Sequence, residues 1–283
     1  MSFCQVKKLS MRLCAVGLMI LSSGCNHLFY YPHKDIYLTP DAAKLHYSEV
    51  TIPSGAETLR GWHIKASGKA QRVAIIQFHG NAENRSTHFL SVAWMAQRGV
   101  DVIVFDYRGY DGSTGKPSRQ GLVEDGVAAL SWFEKAFPQH RRFVVAQSLG
   151  GAVAIPALAR STGTFDGLIL ESTFASYRGI ARRKLAGVWL TWPFQWLPWL
   201  VLSGDENPVD FAADVKLPVL AFHDKLDPVV PYESGQELYE AFPPGKIRVV
   251  ASDGSAHTGA FMETRMPNRE IAMDFMGMKP QDL

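Results

Sequence analysis

The chain has 283 residues, 47% hydrophobic and 20% charged, with a net charge of +2. That size and apolar share suit one large α/β domain, and a balanced charge without a basic stripe excludes nucleic acid as an expected partner. The three cysteines, Cys4, Cys14 and Cys25, all lie within the first 25 residues, so the body can hold no disulfide, thiolate metal site or cysteine nucleophile.

Residues 1–24 read as a targeting segment. Lys7, Lys8 and Arg12 form a basic start, and Leu13–Leu21 is an apolar core. This core is shorter than the ~20 apolar residues that span a bilayer, and it fits the middle region of a secretory signal. Ser22–Cys25 reads "SSGC". This ending resembles a bacterial lipoprotein signal, with Ser22 where that pattern prefers leucine and Leu21 one position further back. The resemblance implies lipid attachment at Cys25 and an exported protein anchored in the bacterial cell envelope, with the membrane as a partner through the anchor. Asn26, rather than Asp, favours the outer membrane if the cell is Gram-negative. An ordinary signal peptide or an uncleaved anchor is the competing reading.

Residues 25–45 read as an extended lead-in and 46–283 as the folded domain. "EVTIPSGAETLRGWHIKAS" reads as a strand pair about a Pro-Ser-Gly turn. "RVAIIQFHG" and "VDVIVFDYRG" are continuous apolar runs, the mark of strands buried on both faces. Helical spacing in "HFLSVAWMAQRG" separates them, and "QGLVEDGVAALSWFEKAF" follows as a second helix. "RFVVAQ", "GLILES", "PVLAFHD" and "IRVVAS" are further strands, with helical "LGGAVAIPALAR" and "ESGQELYEAF" between them. "TGAFMETRMPNREIAMDFMG" reads as a closing helix. Strands alternating with helices predict a mostly parallel central sheet flanked by helices, whose ligands bind beyond the carboxyl ends of the strands.

The polar residues stand at those ends. Serine hydrolysis needs a hydroxyl, an imidazole and an orienting carboxylate, in the order Ser, acid, His in α/β-hydrolases. Ser148 follows the "RFVVAQ" strand and opens a helix. Small neighbours suit a nucleophile elbow there, although Ala146 replaces the usual first glycine. The competing reading is a helix N-cap serine. Asp227 lies just past the "PVLAFHD" strand, with Asp224 as its rival and a solvated turn as the bland alternative. Of nine histidines only His257 follows Asp227. The oxyanion donors are expected at the amides of Leu149, after the nucleophile, and Asn81, in the loop "HGNAENR". His79 reads as a structural residue of that loop. A metal reading of "HDKLD" through His223, Asp224 and Asp227 lacks a known ligand spacing, so no metal and no cofactor are expected.

"FHGNAEN", "VFDYRGYDGSTGKPS", "VVAQSLGGAVA", "LESTF", "FHDKLDPVVP" and "SAHTGAF" together resemble the α/β-hydrolase superfamily, and within it the depalmitoylase-like, serine aminopeptidase-like branch. The resemblance implies Ser148 as nucleophile, Asp227 as acid, His257 as base, and oxyanion amides at Asn81 and Leu149. Asp111 stands where a glycine is usual, at a position suited to a left-handed backbone that Asp tolerates. The reading is a serine hydrolase that cleaves a small carboxylic ester or thioester through an acyl-enzyme on Ser148. A peptidase of the same fold is the alternative, as is a catalytically idle envelope lipoprotein that uses the fold for binding.

A cap insertion is expected at about 175–212. Trp189, Trp192, Trp196 and Trp199 recur at helical spacing, interrupted by Pro193 and Pro198, which predicts a broken helical hairpin. These tryptophans either pack the cap onto the core, line an apolar wall for an acyl chain, or form a membrane-interface surface.

Overall fold

The computed structural model describes residues 30–67, 71–202 and 204–278. The signal at 1–24 and the lipid-attachment site at Cys25 lie outside the described residues. One eight-stranded sheet organises the body. Its strands are β1 (Tyr47–Ser54), β2 (Glu57–Ile64), β3 (Val73–Phe78), β4 (Val100–Phe105), β5 (Arg141–Gln147), β6 (Gly167–Glu171), β7 (Val219–Asp224) and β8 (Ile247–Ser252). Their spatial order is β8-β7-β6-β5-β3-β4-β2-β1. Every pair from β4 to β8 is parallel, and only β2 runs against its neighbours. This is an α/β-hydrolase architecture.

The four central strands bury nearly every residue, because helices cover both faces and successive side chains alternate between them. On one face Ala74, Ile76 and Phe78 meet the helices α2 (Arg119–Ala136) and α3 (Leu149–Arg160). On the other, Val73 and Ile75 join the core under α1 (Leu90–Gln97). Ser118 caps α2 by accepting from the Gly121 amide at 3.1 Å. At the edge, β8 is only partly buried.

Further helices include α4 (Tyr177–Ala186) and α5 (Leu197–Val201) in the cap, and α6 (Tyr232–Glu240) between β7 and β8. The closing helix, α7 (Met266–Phe275), is shorter than expected. Its predicted first turns are instead a loop and a 3-10 turn at Glu263–Arg265, and Pro267 stands at its start, where a missing N–H costs nothing. The lead-in carries a strand absent from the sequence reading. Tyr31–Pro32 pairs in parallel with Ala82–Glu83, which fastens it to the loop that carries Asn81.

Candidate active site

The β5-to-α3 turn places Ser148. Its backbone has φ 53° and ψ −116°, a conformation that costs a non-glycine residue ~1–3 kcal/mol and concentrates at functional sites. The tight turn requires small residues beside it. A Cβ on Gly150 would lie 2.0 Å from the Phe78 carbonyl oxygen, and one on Gly151 would lie 2.1 Å from Thr173 Oγ1. Ala146 is a fully buried residue of β5 whose methyl is accommodated in the core between α3 and the sheet.

Ser148 occupies the N-cap position of α3, yet its hydroxyl caps no helix amide. It lies 3.0 Å from His257 Nε2 instead. His257 Nδ1 lies 2.9 Å and 3.1 Å from the two carboxylate oxygens of Asp227. With the Nδ1 proton donated to Asp227, Nε2 is left to accept from the serine. Asp227 Oδ1 also accepts from the amides of Val229 and Val230, at 2.8 Å and 2.9 Å. Burial pushes the Asp227 carboxyl up, but the His257 hydrogen bond, the two amides and the charge of His257 outweigh it and hold it below the usual carboxylate value.

The structure separates the two rival acids. Asp224 is bound by Arg265, Ser252 and the Ala256 amide, and makes no hydrogen bond to the His257 ring among the described residues. His223 places Nδ1 2.9 Å from Tyr239 Oη and Nε2 2.9 Å from the Val230 carbonyl. His79 is buried in an aromatic cluster, 4.4 Å from the Tyr107 ring and stacked on His88.

Asn81, Ser148 and Leu149 line one cavity of about 570 Å³. The Asn81 backbone is held in place, since Tyr110 Oη donates to its carbonyl at 2.9 Å. The preceding turn is held likewise, with Tyr107 Oη donating to the His79 carbonyl at 3.1 Å. Beyond Ser148 the walls are largely apolar, from Phe174, Ile180, Leu185, Leu197, Val201 and Val230, with Lys184 among them. Asp111 adopts the expected left-handed backbone, φ 34°, and its carboxylate meets Arg85 at 2.5 Å.

The tryptophans do something different from two of their three expected roles. Trp189 is 85% exposed, Trp192 61%, Trp196 58% and Trp199 50%, so they do not pack the cap onto the core. None lines the cavity either. The broken hairpin is real. A 3-10 turn at Trp192–Phe194 precedes α5, and each carries proline in its first turn.

A buried polar chain beneath the site escaped the sequence reading. Gln77 Nε2 donates to Gln147 Oε1 at 2.7 Å, and Gln147 Nε2 donates to Glu171 Oε2 at 2.5 Å. Glu171 Oε1 accepts from the Ala260 amide, three residues past His257, at 2.5 Å. Burial pushes the Glu171 carboxyl up despite these bonds. The available signal was a polar residue at or near the carboxyl end of each of three apolar strands.

Fold and site together define a serine hydrolase of the α/β-hydrolase class. A family model described as "Hydrolase_4: Serine aminopeptidase, S33" matches residues 69–211, and the chain belongs to that family. It is 34% identical over 269 residues to the uncharacterized protein YfhR of Escherichia coli strain K12, covering 90% of this chain and 89% of that protein. It is 29% identical to the lysophosphatidylserine lipase ABHD12 of Danio rerio, over 80% of this chain and 65% of that protein. Among solved structures, the Pyrococcus furiosus esterase Pf2001 superposes with a TM-score of 0.71 at 20% identity, covering 88% of this chain and 97% of that one. That likeness is one of fold.

Proposed function

We propose that the protein hydrolyses carboxylic esters or thioesters through an acyl-enzyme on Ser148. The observation that carries this reading is the Ser148–His257–Asp227 relay, at 3.0 Å and 2.9 Å, opening into a largely apolar cavity. Ser148 Oγ attacks the acyl carbonyl while His257 Nε2 takes its proton. Asp227 stays ionised and stabilises the imidazolium without taking its proton. The carbonyl oxygen, now negative, is received by the amides of Asn81 and Leu149, a type of donor worth ~10²–10³ in turnover each. The carbon–oxygen or carbon–sulfur bond then breaks, and His257 returns the proton to the leaving alcohol or thiol. Water attacks the acyl-serine with His257 again as base, releasing the acid and restoring the hydroxyl.

The apolar walls favour an acyl chain over a peptide, and the lipase among the relatives is consistent with a lipidic ester. The lipoprotein-like "SSGC" supports, on this reading, a lipid anchor at Cys25 in the cell envelope. A fluorophosphonate probe tests the chemistry. It labels wild type and leaves Ser148→Ala unlabelled. A folded wild type that takes no label sinks the proposal, and labelling that survives Ser148→Ala shows another nucleophile. Radiolabelled palmitate tests the anchor, with label expected on wild type and absent from Cys25→Ser.

A further inference from the structure

The cap divides its residues between the cavity and the surface. From α4 and α5, Ile180, Leu185, Leu197 and Val201 line the cavity over Ser148. Away from the cavity, within residues 188–200, the cap exposes its four tryptophans together with Leu190 and Leu200. A surface this apolar on a folded protein marks an interaction site.

Three observations identify what covers it. Tryptophan combines a large apolar ring with an N–H donor and concentrates at the headgroup level of bilayers. The neighbouring charge is positive. Arg182 and Arg183 enter no ion pair among the described residues, and the Arg182 guanidinium stands 6.0 Å over the Trp199 ring. Basic groups beside an aromatic apolar face suit anionic lipid. Third, Tyr31 lines the same cavity. Covalent geometry keeps Tyr31 within about 20 Å of Cys25, so the lipid anchor proposed above, on which this third point alone rests, would hold the cap near a membrane.

We propose that the tryptophan face of the cap is a docking surface that seats in the headgroup region of an anionic bilayer.

Full-length protein on vesicles of phosphatidylcholine and phosphatidylglycerol with dibrominated acyl chains tests this. Bromine quenches tryptophan only at close range. Trp62 and Trp94 are buried and Trp132 is half-buried, so the signal comes from the cap. With four of the seven tryptophans on this face and seated at the headgroup level, emission should fall by about half. The double variant Leu190→Asp, Leu200→Asp keeps every tryptophan and should abolish the quenching. Its hydrolysis of a soluble short-chain ester should match wild type, because neither residue lines the cavity. Brominated phosphatidylcholine alone should quench less. Protein that floats with the vesicles yet is not quenched would overturn the proposal, since the tether alone would then hold it. Quenching that survives both aspartates, equal quenching by neutral lipid, or a cap buried in a dimer would overturn it too. Failure of the hydrolase reading would show in the ester assay and not in the quenching.

Discussion

Asp224 and Arg265 meet in a two-point ion pair, Oδ1 to Nη1 at 2.5 Å and Oδ2 to Nη2 at 2.7 Å. The pair joins the end of β7 to the residue before α7, across the loop that carries His257. The Ala256 amide donates to the same carboxylate at 2.9 Å. Asp224 therefore shapes the loop that the imidazole stands on.

Burial pushes the Asp224 carboxyl up, but the Arg265 hydrogen bond, then Ser252, the Ala256 amide and the Arg265 charge, hold it below the usual carboxylate value. The folded state thus stays ionised where the unfolded chain takes up a proton. The stabilisation is complete above the unfolded value and is lost as pH falls through the lower folded one. Asp224→Asn should cost about 1 kcal/mol at neutral pH, because the Arg265 guanidinium left behind is a quarter exposed and water meets part of its need. It should also flatten the loss of stability below about pH 4. Urea melts at pH 7 and at pH 3.5 measure both, and an unchanged acid limb would refute the account. Fluorophosphonate labelling should slow as the His257 loop loosens.

Asp227→Asn should lower kcat by about 10⁴ without unfolding the protein. The Asn carbonyl can still accept from Val229 and Val230, which turns its NH₂ toward His257. Nδ1 must then accept, the ring proton moves to Nε2, and Nε2 can no longer take the Ser148 proton. A loss smaller than tenfold on p-nitrophenyl esters, with an unchanged melting curve, would show that Asp227 is not the orienting group.

The elbow should tolerate change asymmetrically. Gly150→Ala drives a methyl into the Phe78 carbonyl at 2.0 Å and should cost about 3 kcal/mol or more, because backbone cannot yield as a side chain does. Ala146→Gly, which restores the usual glycine, should cost about 0.5–1 kcal/mol through added backbone freedom and leave probe labelling intact. Thermal melts with labelling rates check the pair. Equal destabilisation by both would mean that the close approach of α3 to β3 is not what selects small residues.

Filling the cavity should shorten the preferred substrate. Leu197→Trp adds bulk to the wall formed by α5. Turnover of long-chain p-nitrophenyl esters should fall about tenfold or more relative to acetate, since overpacking an apolar site costs ~1–3 kcal/mol. Parallel losses at every chain length would place the acyl chain elsewhere.

Strand positions were legible because burial on both faces leaves a local trace. "VAIIQF", "VVAQ" and "GLILE" could hardly be anything but covered strands. The residues past their ends were legible for the same reason, since a polar residue closing an apolar run stands out. The Tyr31–Pro32 strand left no such trace, because two residues carry no period. Glu171 and Gln147 were in plain view, but their bond joins residues 24 positions apart on neighbouring strands. No local pattern encodes that.

The sequence by itself determined the order of the elements, the small residues of the elbow, and the chain order of Ser148, Asp227 and His257. These follow from local periodicity and sterics, which act between near neighbours. Tertiary structure alone decided which of Asp227 and Asp224 meets the His257 ring. They stand three residues apart in one turn, and only the packing of the His257 loop sets which carboxylate meets the imidazole. It also decided the tryptophans. Helical spacing put them on one side, but which side faces the core depends on partners distant in the chain. The fold lines the cavity with the aliphatic residues of α4 and α5 and leaves all four indoles in solvent.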